Sequence, residues 1–153
     1  MWDDWYRNTK AGEMTPTEFE QYCKEILERF AQKENLQDFV ILHDVHLESN
    51  DGNYQIDVFA EFRALGVSFK VLCECKQYKN RVSREKVAIL ESKVRSLGAQ
   101  KGILLSTAKF QKGAVQYAEK HGIALIEVSK LGVNPVCYVS PTFRSYAESG
   151  AKI

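Results

Sequence analysis

The chain has 153 residues, of which 44% are hydrophobic and 27% charged, and a formal net charge of +1. These values predict one globular domain with a sizeable core and exclude a disordered or low-complexity chain. No apolar run approaches the roughly 18 residues of a membrane span, and the first residues lack a signal-peptide pattern. We therefore expect a cytoplasmic protein with no membrane partner.

Charge is distributed unevenly along the chain. Residues 1–75 carry 7 basic and 15 acidic side chains, whereas residues 76–120 carry 11 basic and 3 acidic ones. This asymmetry predicts an acidic side and a basic side, and a basic face is a typical binding surface for a polyanion such as nucleic acid. The competing interpretation is that folding disperses these charges over the whole surface.

The first elements of the chain are an aromatic segment and a helix. Residues 1–14 contain Trp2, Trp5 and Tyr6, and this segment is expected to pack by its aromatic side chains or to contact another subunit. Thr15-Pro16-Thr17-Glu18 predicts a helix start, with Thr15 as N-cap and Glu18 completing a capping box. Apolar residues at three- and four-residue spacing extend the predicted helix to about Phe30.

Strands follow the first helix. The apolar run over 39–45 predicts a strand, and residues 50–53 predict a turn. From Tyr54 onward the pattern alternates, which predicts a strand with Ile56 and Val58 on one face and Asp57 on the other. A further strand over 67–76 is expected to form a hairpin with it through a two-residue loop at Leu65–Gly66.

The second half of the chain alternates helices and buried strands. Ser83 predicts the start of a helix that ends at Gly98, and a third helix is predicted over 111–121. Buried strands are predicted over 102–106 and 123–128, and an edge strand over 136–139. The fold class is therefore α/β, a mixed central β-sheet flanked by helices. We divide the chain into an aromatic segment (1–14), a core (15–128) and an extension (129–153).

One group of residues along the predicted hairpin has the chemistry of a catalytic site. Glu74 and Lys76 are two residues apart and share a face of their strand. A two-residue loop would place Asp57 directly opposite Glu74. Two close carboxylates repel each other unless a cation lies between them. Oxygen ligands favour Mg²⁺ or Mn²⁺ as that cation. A metal ion of this kind supports the hydrolysis of phosphodiester bonds. The competing interpretation is a surface salt bridge between Glu74 and Lys76, with Asp57 unrelated.

These residues and their flanking elements resemble a known family. Asp57 followed by Glu74-Cys75-Lys76 resembles the D…(D/E)xK motif of the PD-(D/E)xK phosphodiesterase superfamily, which has a restriction-endonuclease-like core. More narrowly, the chain over about 15–128 resembles the Mrr-like restriction endonuclease domain. The resemblance rests on the first helix, on the strands that carry Asp57 and Glu74, and on the strand-turn-helix that begins at Gly102.

The resemblance implies a Mg²⁺-dependent endodeoxyribonuclease whose products carry 5′-phosphate ends. It implies that Asp57 and Glu74 ligate the metal together with the backbone carbonyl of Cys75, and that Lys76 is the catalytic lysine. Glu18 occupies the place of a first-helix acid that aids metal binding in related nucleases. Its capping-box role competes with that assignment, and both roles are compatible.

DNA is the expected partner of this nuclease. The residues expected to contact DNA or to orient water at the site are Gln55, Gln77, Lys79, Arg81, Arg84, Ser106 and Lys109. A second group, Lys93, Arg95 and Lys120, is interpreted as a solvated helix face.

Three other functions stay open from the sequence. The chain could be a catalytically decayed DNA-binding module on the same fold, a branched-DNA nuclease that resembles archaeal Holliday-junction resolvases, or a protein-interaction subunit. Restriction enzymes of this family usually carry a separate DNA-reading domain, for which this length leaves no room. We expect a homodimer, or docking to a partner protein, through the aromatic segment or the extension.

Overall fold

The computed structural model describes residues 14–129 and 132–140. These residues form six strands and three helices, which confirms the predicted α/β class. The strands are β1 (Gln37–Ser49), β2 (Gly52–Ala64), β3 (Val67–Lys76), β4 (Lys101–Ser106), β5 (Ala124–Ser129) and β6 (Gly132–Cys137). The helices are α1 (Pro16–Glu34), α2 (Arg84–Ser96) and α3 (Lys112–His121). The strands lie side by side in chain order in one mixed sheet.

The predicted start of α1 is confirmed. The Thr15 hydroxyl accepts a hydrogen bond of 3.1 Å from the Glu18 N–H, and Glu18 Oε1 accepts one of 3.0 Å from the Thr15 N–H. This capping box satisfies two of the donors that a helix start leaves without partners. The helix continues past the predicted end at Phe30 to Glu34, and it ends where Asn35 adopts a left-handed conformation with φ 53°.

The hairpin between β2 and β3 determines where the site residues lie. The two strands pair antiparallel from Ala64↔Val67 to Val58↔Cys73, which confirms the predicted two-residue loop. Its residues Leu65 and Gly66 both have positive φ, 55° and 77°, as a type I′ turn requires. Because the turn fixes the register, it also decides which residue of β3 lies beside each residue of β2.

The second half of the sheet is built from crossover connections. β3, β4 and β5 run parallel to one another, with α2 and α3 as the connecting helices. The carboxyl ends of these strands meet at one edge of the sheet, where Lys76 at the end of β3 pairs with Ser106 at the end of β4. The last residues of β3 therefore lie at the edge where binding residues of parallel sheets commonly gather.

Helices cover both faces of the sheet. On one face α1 packs Phe19 and Tyr22 against Val58. On the other face α2 and α3 pack against Ile56, with Leu90 of α2 fully buried between them. The chain thus has two layers of core, one on each side of the sheet, and β2 and β3 are buried between them.

The strict alternation predicted along β2 is wrong at Asp57. Ile56 packs on the α2 and α3 side and Val58 on the α1 side, although residues two apart in a regular strand share a face. Asp44, which faces this position from β1, has a left-handed φ of 53°. The pleat of β2 therefore changes where Asp57 lies opposite Asp44. As a result, the side chains of Ile56 and Val58 point to opposite faces of the sheet.

The extension contributes the edge strand β6, which pairs antiparallel with β5. This strand was predicted at 136–139 and lies earlier, over Gly132–Cys137, with Pro135 tolerated because the strand is at the edge. Residues 1–13 and 141–153 lie outside the described residues, so the division into 1–14, 15–128 and 129–153 stays a prediction. Among the helices that the structure describes, none has the length and apolarity to cross a membrane.

Candidate active site

β2 and β3 bring Asp57 and Glu74 together. The last pair of their ladder is Val58↔Cys73, and Asp57 and Glu74, the next residues along the two strands, lie close enough for the charge of Asp57 to raise the pKa of Glu74. Asp57 Oδ2 accepts a hydrogen bond of 2.8 Å from the backbone N–H of Cys75. Asp57 is 7% exposed and Glu74 is 5% exposed. Two carboxylates that are distant in sequence therefore share one buried site.

Gln55 orients Asp57 from the same strand. Its side-chain Nε2 donates to Asp57 Oδ1 at 3.3 Å and to Asp44 Oδ1 at 2.9 Å. Both carboxylate oxygens of Asp57 are thus engaged, one by a main-chain N–H and the other by an amide. Gln55 was expected to orient water or phosphate, and in the structure it holds two aspartates in place.

Glu74 lies between two lysines. Lys93 Nζ is 2.6 Å from Glu74 Oε1, and Lys76 Nζ is 3.8 Å from Oε2. Burial raises the pKa of Glu74 to about 7, with the negative charge of Asp57 adding to the rise and the hydrogen bond from Lys93 opposing it. A carboxylate in this environment favours a nearby cation.

Lys93 is not part of a solvated helix face, and that interpretation was wrong. The side chain reaches from α2 to the site, where Nζ also donates to the backbone carbonyl of Gln55 at 3.2 Å. One sequence signal could have indicated this role. Lys93 lies three residues after Leu90 and one before Val94, so it falls within the buried stripe of its helix.

The structure places Glu20, rather than Glu18, near Asp57. Glu18 is engaged in the capping box at the exposed start of α1. Glu20 Oε1 lies 2.8 Å from Nε2 of His43 on β1. Burial raises the pKa of Glu20, the hydrogen bond with His43 opposes the rise, and the charges of Asp57 and Asp44 increase it. Glu20 precedes Cys23 by three residues on the buried face, a position that could have indicated it.

The loop after β3 carries positive charge around an open cavity. This cavity of about 390 Å³ begins at Gln77, directly after Lys76, and is lined by Lys79, Arg81 and Lys86. Two of the predicted DNA contacts, Lys79 and Arg81, thus lie next to the carboxylate site. Arg84 lies farther toward α3, with its guanidinium carbon 5.4 Å from the ring centre of Tyr117.

Two other predicted contacts have structural roles, and a third is at the surface. Ser106 is fully buried, and its hydroxyl accepts a hydrogen bond of 2.9 Å from the Ala108 N–H, so the prediction that it contacts DNA is wrong. Gln77 Nε2 donates to the backbone carbonyl of Met14 at 2.6 Å and ties β3 to the residues before α1. Lys109 is exposed on the loop after β4.

The family model Mrr_cat, described as restriction endonuclease, matches residues 11–132. The chain belongs to this family. The match covers the elements that carry Asp57, Glu74 and Lys76, and it confirms the resemblance on which their roles were assigned. No curated protein sequence matches the chain.

Solved structures share the fold of this restriction endonuclease domain at low sequence identity. The protein of unknown function AF1548 has 20% identity and a TM-score of 0.55, over 70% of this chain and 56% of the other. Can2 from Sulfobacillus thermosulfidooxidans, solved in complex with cyclic tetra-adenylate, has 16% identity and a TM-score of 0.55, over 70% and 31%. VC1899 from Vibrio cholerae has 19% identity and a TM-score of 0.54, over 72% and 29%. The chain spans from 29% to 56% of the length of these proteins.

For a restriction endonuclease domain the expected cofactor is a divalent metal ion, and the donors here fit one. Within the described ranges, no group of three or more His, Cys, Asp or Glu side chains is arranged to hold a metal. Asp57 and Glu74 supply two carboxylates, with the carbonyl of Cys75 next to them. Mg²⁺ is commonly bound by one or two carboxylates, with water in its remaining positions. The burial of both carboxylates favours a cation at this point.

Proposed function

We propose that this chain is a Mg²⁺- or Mn²⁺-dependent endodeoxyribonuclease that hydrolyses phosphodiester bonds of DNA. The observation that carries the proposal is the pairing of two buried carboxylates, Asp57 and Glu74, with Lys76 at the end of the β2–β3 hairpin of a restriction endonuclease domain. The metal ligands are Asp57, Glu74 and the carbonyl of Cys75. Glu20, which lies near Asp57, is the better candidate than Glu18 for the first-helix acid.

Each residue of the site has a distinct task in this reaction. Asp57, Glu74 and the carbonyl of Cys75 would hold a divalent metal ion, which would supply polarisation of the phosphoryl oxygen and a lower pKa for a bound water molecule. Asp57 is held by Gln55 and by the Cys75 N–H, so it enters the reaction already oriented. Lys76 is 26% exposed, which leaves its ammonium accessible to a phosphate oxygen. There it stabilises the negative charge that develops on the phosphoryl group as the leaving oxygen departs.

The basic cavity after β3 holds the DNA backbone beside the site. Lys79, Arg81 and Lys86 line it, and their charges attract phosphates without reading sequence. Lys109 and Arg84 extend the positive charge beyond the cavity, whereas Ser106 is buried and makes no contact. The cavity begins one residue after Lys76, so a strand held there passes close to the carboxylates.

Cleavage and binding assays on three variants test this proposal. Supercoiled, linear, methylated and branched DNA are incubated with the protein in Mg²⁺ and in EDTA, with the dissociation constant measured across a salt series. Asp57→Asn should abolish cleavage, and Lys76→Ala should lower the single-turnover rate by about 100-fold with little change in DNA affinity. Arg81→Ala should instead weaken binding and flatten its salt dependence.

The control is Glu28→Gln, which removes a carboxylate that pairs with Lys24 at the surface of α1. This variant should cleave as the unaltered protein does. Undiminished cleavage by Asp57→Asn would contradict the proposed site. DNA binding without cleavage by the unaltered protein in Mg²⁺ and Mn²⁺ would favour the catalytically decayed module, and cleavage confined to branched DNA would favour a resolvase.

A further inference from the structure

Lys93 supplies the closest positive charge at Glu74 among the contacts that the structure describes. Its Nζ lies 2.6 Å from Glu74 Oε1, whereas Nζ of Lys76 lies 3.8 Å from Oε2. Lys93 belongs to α2 and not to the hairpin that carries the family motif. Each oxygen of the Glu74 carboxylate thus has an ammonium group, and the two groups come from different elements of the fold.

The second contact of Lys93 determines where its ammonium group sits. Nζ also donates to the backbone carbonyl of Gln55 at 3.2 Å. Gln55 in turn holds Asp57 through its side chain. Lys93 therefore connects α2 to both strands of the hairpin at the level of the two carboxylates, and its side chain is only 20% exposed.

Electrostatics explains why a lysine is needed at this position. Asp57 and Glu74 are both almost completely buried, and two adjacent buried carboxylates repel each other unless positive charge lies between or beside them. In the described structure, Lys93 makes the short contact that balances them. A divalent cation bound by Glu74 would take over this balancing role and would compete with Lys93 for the same carboxylate.

We infer that Lys93 is a positioning residue whose ammonium group balances Asp57 and Glu74 before a divalent metal binds, and that metal binding displaces it from Glu74. The inference rests on the proposed function, because it concerns the metal ligands of that site. It has a measurable consequence. Because the metal must displace an ion pair, the protein binds the metal more weakly than the two carboxylates alone would allow.

Calorimetric titration with Mg²⁺ and Mn²⁺, without DNA and at pH 9, tests the inference. Lys93→Gln keeps a hydrogen-bond donor but removes the charge, and it should bind the metal about 3- to 10-fold more tightly than the unaltered protein. Lys93→Arg keeps the charge and should not show this gain. Lys120→Met is the matched control, since it removes one positive charge from an exposed position on α3 and should leave the metal affinity unchanged.

Lys93→Met serves as a second uncharged variant and should show the same gain, with circular dichroism confirming that each variant is folded. Unchanged or weaker metal affinity in Lys93→Gln would overturn the inference, even if the unaltered protein cleaves DNA. Metal binding that tightens in Lys93→Gln without DNA cleavage by the unaltered protein would contradict the proposed nuclease function and leave the assignment of Lys93 intact. Absence of metal binding by the unaltered protein would overturn both.

Discussion

At Glu74, burial raises the pKa of the carboxyl group, whereas the hydrogen bond from Lys93 lowers it. Burial raises its pKa from 4.5 to about 7, mainly because the ionised carboxylate loses its hydration. Between these pH values the folded protein binds more protons at Glu74 than the unfolded chain does. The contribution of Glu74 to stability is therefore greatest below pH 4.5 and is lost as the pH rises to about 7.

This shift predicts how Glu74→Gln changes stability with pH in the absence of metal. The variant removes the titrating group, so its free energy of unfolding relative to the unaltered protein should rise between pH 4.5 and 7. The rise should be up to about 3 kcal/mol and level off above pH 7. Denaturant unfolding at pH 5 and pH 8 in EDTA measures it, with Glu28→Gln as the surface control. If the free energies of unfolding of the variant and the unaltered protein differ by the same amount at both pH values, the pKa of Glu74 is not shifted by folding.

At the scale of elements, the distance between α2 and the sheet determines where the ammonium group of Lys93 lies relative to Glu74, because α2 carries Lys93. Gly102 on β4 allows this close approach. A Cβ at this position would lie 2.9 Å from Val94 Cγ2 and 3.2 Å from Leu90 Cγ, both on α2. The helix would have to move away from the sheet to accommodate it, and Lys93 would move with it.

Gly102→Ala should therefore lower the free energy of unfolding by about 1–3 kcal/mol, the usual effect of overpacking a core. Gly113→Ala is the matched control, since a Cβ there lies 4.0 Å from Arg84 Cβ and meets no closer atom. Because Gly113 is in α3, alanine should stabilise it by about 0.5–1 kcal/mol. Denaturant unfolding of both variants checks the pair. Equal effects of the two substitutions would contradict the close packing at Gly102.

At the scale of the whole molecule, acidic and basic groups both gather near the site. The charges of Asp57 and Asp44 act on Glu20, while Lys79 and Arg81 line the cavity after β3. The predicted acidic and basic sides of the protein stay a prediction. A strongly acidic region beside a basic one orients a polyanion, because a phosphate backbone is attracted to one side and repelled from the other.

The assembly of the chain is the last prediction. Under the proposed function, one Asp57–Glu74–Lys76 site would cleave one phosphodiester bond at a time, so a cut through both DNA strands would require two copies. We expect a homodimer, or docking to a partner protein, through the aromatic segment (1–14) or the extension (129–153). For a homodimer, light scattering should give twice the mass of one chain. If the first segment forms the interface, a chain that lacks residues 1–13 but keeps the buried Met14 should give the mass of a single copy. A monomer that makes double-strand breaks at low concentration would contradict this prediction.

The sequence by itself determined most of the elements and the pairing of the β2–β3 hairpin. The capping box at Thr15, the two-residue loop at Leu65–Gly66 and the end of the third helix at His121 are all confirmed. Each depends on residues that are neighbours in the chain, because caps and tight turns are satisfied locally. The loop length predicts Asp57 opposite Glu74, and in the structure the ladder ends one pair earlier, at Val58↔Cys73.

Only the tertiary structure decided which other side chains reach the site. Lys93, Glu20 and Asp44 come from three further elements, and their distances to the two carboxylates depend on how α1, α2 and β1 pack on the sheet. The change of pleat at Asp57 lies opposite Asp44, a left-handed residue on the neighbouring strand that strand periodicity does not reveal. The burial of Ser106 follows likewise from the layers above and below its strand. Long-range packing sets these positions, because no local pattern encodes the distance between separate elements.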